Sequence, residues 1–127
     1  MNASVPFLVA AGGALGSLAR WACGGWVQRA SASGYPLGTL AVNVVGSFAI
    51  GLLLGLGEAK GGVGDAWRAF AITGVLGGFT TFSAFSAETL GLLQRAHFGL
   101  AALNVVVSIG LGLAAAAGGF ALARAVA

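Results

Sequence analysis

The sequence predicts an all-α membrane protein of four transmembrane helices, the third broken near its middle. Three observations lead there. Of the 127 residues, 58% are hydrophobic and 7% charged, with a mean hydropathy of +0.97; soluble domains carry about 25% charged residues, so this composition suits a lipid bilayer. Polar, Gly and Pro clusters divide the chain into four apolar stretches, and a spanning helix needs about 20 apolar residues. Four spans therefore use nearly all of residues 1–127 as one domain. The third stretch is longer than a straight span requires and carries Gly-Gly-Phe-Thr-Thr at its centre.

The first stretch runs from Val5 to Val27 and ends at Gln28 and Arg29, with Ser31 to Pro36 as a turn. No Lys or Arg precedes it and Arg20 lies inside it, so it reads as a span and not as a cleaved leader. Arg20 is either a structural residue that reaches the headgroups or a positive element in a vestibule. The second stretch, Gly38 to Gly57, places Thr39, Asn43 and Ser47 at i, i+4 and i+8, along one stripe of a helix. A polar, glycine-rich connection from Glu58 to Asp65 follows and holds Lys60.

The third stretch runs from Trp67 to Gln94. About 28 residues make a helix of roughly 42 Å against a hydrocarbon core of about 30 Å. Gly77 and Gly78 followed by paired threonines disfavour helix, so a break is expected at Gly77 to Thr80; a tilted continuous helix is the alternative. Non-helical backbone in a bilayer must be buried in protein or line water, and freed carbonyls at such breaks hold ions in transporters. The fourth stretch, Phe98 to Leu122, carries Asn104 and Ser108 at i and i+4. Gly12 with Gly16, Gly51 with Gly55 and Gly74 with Gly78 are small-xxx-small pairs that permit close helix approach, without saying which helices meet.

Several function classes are excluded. The net charge of +3 comes from basic residues scattered singly, which gives nucleic acid no patch to bind. One cysteine, Cys23, and one histidine, His97, cannot build a thiol or imidazole metal site or a disulfide framework. No catalytic Ser, His, Asp set, acid pair or phosphate loop stands in a suitable context, so no enzyme is expected.

What remains is polar chemistry inside the spans. The Thr39, Asn43, Ser47 stripe and the Asn104, Ser108 stripe would form a polar track if they faced each other; interhelical hydrogen bonding is the other reading, and suits Ser47 better than Asn43. Phe82, Ser83, Phe85 and Glu88 follow the expected break. Aromatic rings three apart commonly pack, yet their electropositive edges can touch a small anion without holding it tightly, and conduction needs such release. Glu88, an acid inside an apolar segment, is a functional candidate or an interfacial partner of Arg95.

Orientation is nearly balanced. With four spans, Lys60, Arg68 and Arg124 fall on one side, Arg29 and Arg95 on the other, and Arg20 on neither clearly. The two halves show no internal repeat, so any inverted symmetry would have to come from two antiparallel copies.

Three motifs together carry a resemblance: Gly12, Gly13, Gly16 and Arg20; Gly38, Thr39, Leu40, Val42, Asn43 and Gly46; and Gly74, Gly77, Gly78, Phe79, Thr80, Thr81, Phe82, Ser83, Phe85, Ser86 and Glu88. In these residues, and over nearly its whole length, the chain resembles the Fluc (CrcB) family of fluoride channels. The resemblance implies an antiparallel, dual-topology homodimer with two fluoride pores, embedded in lipid in the cell inner (plasma) membrane, which exports fluoride passively from the cytoplasm. It implies a structural sodium ion at the dimer interface, held by the backbone carbonyls of Gly77 and Thr80 from both subunits. It assigns Phe82 and Phe85 as pore phenylalanines and Asn43 as an amide donor to fluoride. Ser108 becomes part of the polar track, with Thr39, Ser83 and Glu88 beside the pathway, and Arg20 is vestibular or structural. Ala84 stands where the family commonly has Thr, and Asn104 where relatives carry other residues, including an aromatic one. A small dual-topology multidrug exporter would need an acid in its first span, and none is there. A non-transporting assembly subunit would leave Asn43 and the third motif without a purpose.

Overall fold

The computed structural model describes residues 4–127. Four helical segments are long and apolar enough to cross a membrane: Ser4–Ser31, Leu37–Ala59, Asp65–Gln94 and Phe98–Val126. They match the four stretches expected from the sequence, with helix ends extended by a few residues. The first is α1 (Ser4–Ser31) and the second α2 (Leu37–Ala59). The third is composite: α3 (Asp65–Trp67) runs into a nine-residue π-helix, π1 (Arg68–Leu76), and then α4 (Gly77–Phe79), before an extended pair and α5 (Phe82–Gln94). The fourth is α6 (Phe98–Val126).

Local chemistry sets the ends. After α2, Gly61 and Gly62 take positive φ of 79° and 120°. The Gly62 N–H then reaches the Gly57 carbonyl at 2.7 Å and the Gly61 N–H that of Glu58 at 3.2 Å, which satisfies carbonyls the helix end would leave bare. The same pair of bonds closes α5, from His97 N–H to the Leu92 carbonyl and from Ala96 N–H to the Leu93 carbonyl, both 2.9 Å. Here Ala96 holds the left-handed position at φ 60°, where a Cβ is unfavourable.

Small residues decide which helices meet. A Cβ on Gly12 or Gly16 would collide with the carbonyls of Phe70 or Val75, and one on Gly78 would lie 2.6 Å from the Gly13 carbonyl oxygen. This seam locks α1 to π1 and α4. Gly51, Gly55 and Gly119 play the same part between α2 and α6, against Ala116, Phe120 and Phe48. The buried apolar side chains are mostly small as well: Ala69, Ala71, Ala101 and Ala123, with Val42 and Leu92 the larger ones. Large ones such as Phe7, Trp21, Trp26, Val106 and Leu113 face outward, as a bilayer permits.

The break lies later than Gly77 to Thr80. Gly77 and Gly78 are helical, and the extended residues are Thr80 (φ −82°, ψ 157°) and Thr81 (φ −153°, ψ 116°). The physical reason is that Gly78 is needed for contact with α1, where missing side chains let backbones approach, while β-branched threonines accept extended backbone readily.

Candidate functional site

Extended backbone inside an apolar bundle needs partners for its polar groups, and side chains from two helices supply them. Asn43 on α2 accepts from the Thr81 N–H through Oδ1 at 2.7 Å and donates from Nδ2 to the Thr81 carbonyl at 3.0 Å. Its carboxamide thus completes the backbone of Thr81 as a neighbouring strand would. Arg20 on α1 donates from Nη1 to the Thr80 carbonyl at 3.3 Å. The Thr80 hydroxyl returns to the Leu76 carbonyl at 3.0 Å. Thr81, buried, caps α5: its Oγ1 accepts from the Ala84 N–H at 3.1 Å and lies 3.2 Å from the Ser83 Oγ.

The Thr80 and Thr81 segment separates two open recesses. The larger, about 470 Å³, is lined by Arg20, Gln28, Arg29, Thr39, Thr81, Glu88 and Arg95 among others. The smaller, about 320 Å³, is lined by Asn43, Ser47, Gly77, Thr80, Thr81 and Phe82 among others. Three guanidinium groups against one carboxylate make the larger recess electropositive, which raises the local concentration of anions.

Glu88 is tied to α2: the Thr39 hydroxyl donates to its Oε1 at 2.6 Å, while Oε2 is buried without a partner among the described residues. Arg95 turns its Nε–H to the Gly91 carbonyl at 3.1 Å, so Glu88 has Thr39 where Arg95 was the alternative. The two polar stripes do not bond to each other. On α6 the Ser108 hydroxyl points to Asn104 Oδ1 at 3.4 Å, and Asn104 Nδ2 donates to Thr89 Oγ1 on α5 at 2.9 Å. Both stripes therefore converge on α5.

Of the residues singled out from the sequence, Arg20, Thr39 and Glu88 share the larger recess and Asn43, Gly77, Thr80 and Phe82 the smaller. Phe85, Ser83 and Ser108 line neither. The Phe82 and Phe85 rings stack at 5.4 Å between centroids with planes 44° apart, and Phe82 is 78% exposed. A ring so exposed cannot line a pore enclosed within one chain.

Two residues and one role escaped the sequence reading. Thr81 stands in the third motif as one of the paired threonines, but its part as a buried cap whose backbone Asn43 completes is a structural finding. Thr89 looked like an ordinary span threonine, although, four residues after Phe85, it was placed to bond back to its carbonyl, as it does at 2.8 Å. Gln28 looked like a helix end. Its Nε2 bonds the Ser33 and Tyr35 carbonyls at 2.8 and 3.0 Å and its Oε1 accepts from the Gly38 N–H at 3.0 Å, which joins α1, the turn and the start of α2. In that turn the Tyr35 hydroxyl is buried without a partner among the described residues, and desolvation raises its pKa above the usual tyrosine value.

Comparison with known proteins adds an independent finding. Residues 7–120 match the family model described as CrcB-like protein, Camphor Resistance (CrcB). A protein of Agrobacterium fabrum named fluoride-specific ion channel FluC is 47% identical over 117 residues, 92% of this chain and 94% of its own. Proteins of the same name from Thermus thermophilus and Opitutus terrae are 53% identical over 106 residues and 50% over 114, covering 84% and 88% of this chain and 83% and 86% of their own lengths.

Proposed function

The chain belongs to the CrcB family, and from that premise we propose that it is a fluoride-specific ion channel, passing fluoride out of the cytoplasm down its gradient. The observation that carries the reading is the third span, broken at Thr80 and Thr81 and held open by Asn43. A strongly hydrated anion needs donors that replace its water stepwise and release it. The Asn43 carboxamide has two N–H groups; one serves the Thr81 carbonyl and the other is left for fluoride. The edges of Phe82 and Phe85 extend the path, the Ser83 hydroxyl adds a donor along α5, and the Ser108 hydroxyl adds one on α6 when its single proton turns from the long 3.4 Å contact with Asn104 to the ion. Arg20 and the other guanidinium groups of the larger recess draw anions to its mouth without standing in the path, where a full charge in low dielectric would trap the ion.

The working unit in this reading is an antiparallel pair of chains in the inner (plasma) membrane. Supporting it are the balanced basic residues on the two sides and the outward Phe82 ring, which a second copy would cover. A sodium ion between the copies would be held by the carbonyls of Gly77 and Thr80. The donor set suits a hard cation: the Thr81 N–H bonds Asn43 and so leaves the Gly77 carbonyl without its helical donor, and Gly77 is exposed. One chain offers two such oxygens, so a second copy is needed to complete the site; the Thr80 carbonyl has a second lone pair besides that facing Arg20. Bound there, sodium would brace the break.

Purified protein in liposomes loaded with fluoride tests the reading with an external fluoride electrode. Rapid fluoride release with retention of chloride is the expected result. Retention of both ions, or equal release of chloride, overturns it.

A further inference from the structure

The helix that carries Phe85 and Glu88 is lightly held. α6 lies mainly along α2 and meets α5 over a shorter seam, and Leu92 is the one buried residue of α5. Side-chain hydrogen bonds reach it from both flanks. Glu88 and Thr89 are adjacent, so they project about 100° apart. Thr39 on α2 holds the first at 2.6 Å and Asn104 on α6 holds the second at 2.9 Å.

Asn104 is 2% exposed, and it is the largest side chain that the fold buries fully. A buried carboxamide without a partner costs about 1–3 kcal/mol, so its bond to Thr89 tolerates little displacement. Thr89 passes the constraint on. Its hydroxyl proton goes to the Phe85 carbonyl at 2.8 Å, one turn back along α5, which leaves a lone pair of Oγ1 facing the Asn104 amide. The chain of contacts runs from Asn104 through Thr89 to the backbone that bears the Phe85 ring, which stacks on Phe82.

We propose that Asn104 is a positioning residue for ion passage, fixing the rotation of α5 on α6 through Thr89 and so the direction in which Phe85 turns its ring edge. The proposal rests on the reading of Phe85 as a pore ring. Ser108, 3.4 Å from Asn104 Oδ1, steadies the carboxamide from its other end.

Two substitutions and one label test it. In liposomes, Asn104→Leu and Thr89→Val each slow fluoride efflux roughly tenfold, the change that loss of about one hydrogen bond produces in a barrier. The double variant is no slower than the slower single one, because both act through one contact. Thr89→Ser, which keeps the hydroxyl, retains efflux. In parallel, 4-fluorophenylalanine at position 85 is followed by fluorine NMR in detergent. Its resonance shifts in Thr89→Val and in Asn104→Leu, while the same label at Phe120 stays in place. An unmoved resonance at position 85, or losses that add in the double variant, overturns the proposal, and Thr89→Val decides alone if Asn104→Leu does not fold. Should the parent protein pass no fluoride, the channel reading falls, and the position-85 resonance still decides whether Asn104 orients that ring.

Discussion

Asn43 and Thr81 are bonded in both directions, the carboxamide oxygen to the Thr81 N–H at 2.7 Å and the amide nitrogen to the Thr81 carbonyl at 3.0 Å. One side chain, 38 positions away in sequence, thereby replaces the helical partners that the break removes. The amide is both a structural clamp and, in the proposed pathway, a donor to the ion, and substitutions separate these parts.

Asn43→Asp keeps an acceptor for the Thr81 N–H and sets a carboxylate oxygen against the Thr81 carbonyl. Leaving that carbonyl without its donor costs about 1–3 kcal/mol. Fluoride efflux is expected to fall by at least about tenfold, measured with an electrode, while thermal denaturation in detergent shows the lost stability. Unchanged efflux would remove Asn43 from the pathway.

Phe82→Ile keeps an apolar side chain at a position 78% exposed within the chain and removes the aromatic edge. Efflux is expected to drop by about tenfold or more with little change in folding. Size-exclusion chromatography alongside the flux assay checks that the assembly survives.

Ala96→Gly is expected to stabilise the protein. Ala96 sits at φ 60° at the end of α5, where a Cβ costs roughly 1–2 kcal/mol; the larger entropy of an unfolded glycine offsets part of this. The net gain is about 0.5–1 kcal/mol, seen as a higher denaturation midpoint. A lower midpoint would show that the left-handed turn is not limiting.

Insertion in both orientations has a direct readout. In a Cys23→Ser background, Gly64→Cys places a thiol in the exposed connection after α2, at a negative φ that a side chain accepts. A membrane-impermeant maleimide should label roughly half of it in intact cells, and the remainder after permeabilisation, as expected of a chain without strong charge bias. Labelling from one side alone would rule out dual topology.

The spans were legible because composition alone dictates them: in lipid, a continuous apolar run has no alternative to helix. The break was legible to within a few residues. Its position slipped because glycine serves two purposes, and Gly78 serves close packing against Gly13 while Thr80 and Thr81 carry the extended backbone. π1 left no trace in composition. Its wide turns go with the seam that puts Gly12 and Gly16 against the Phe70 and Val75 carbonyls, a tertiary contact that no window of sequence contains. Asn43 was recognisable as a side chain that needs a partner, but its partner is backbone on another helix. Thr89 was passed over because a threonine in a span commonly bonds to its own helix, which it also does.

The small side chains at the centre of the fold invert the usual rule of mutational damage. A soluble core filled by large residues suffers most from truncation, which leaves cavities. Here the buried apolar set is chiefly alanine, and backbones touch where glycines stand, so enlargement is the harmful direction. Every replacement of glycine adds atoms, and the chain has 23 of them. A saturation scan would therefore record tolerance as a ceiling on volume along the two seams, with trimming passing almost unnoticed at those outward leucines and valines that no second copy covers. Along these seams, growth of a side chain does more harm than its loss.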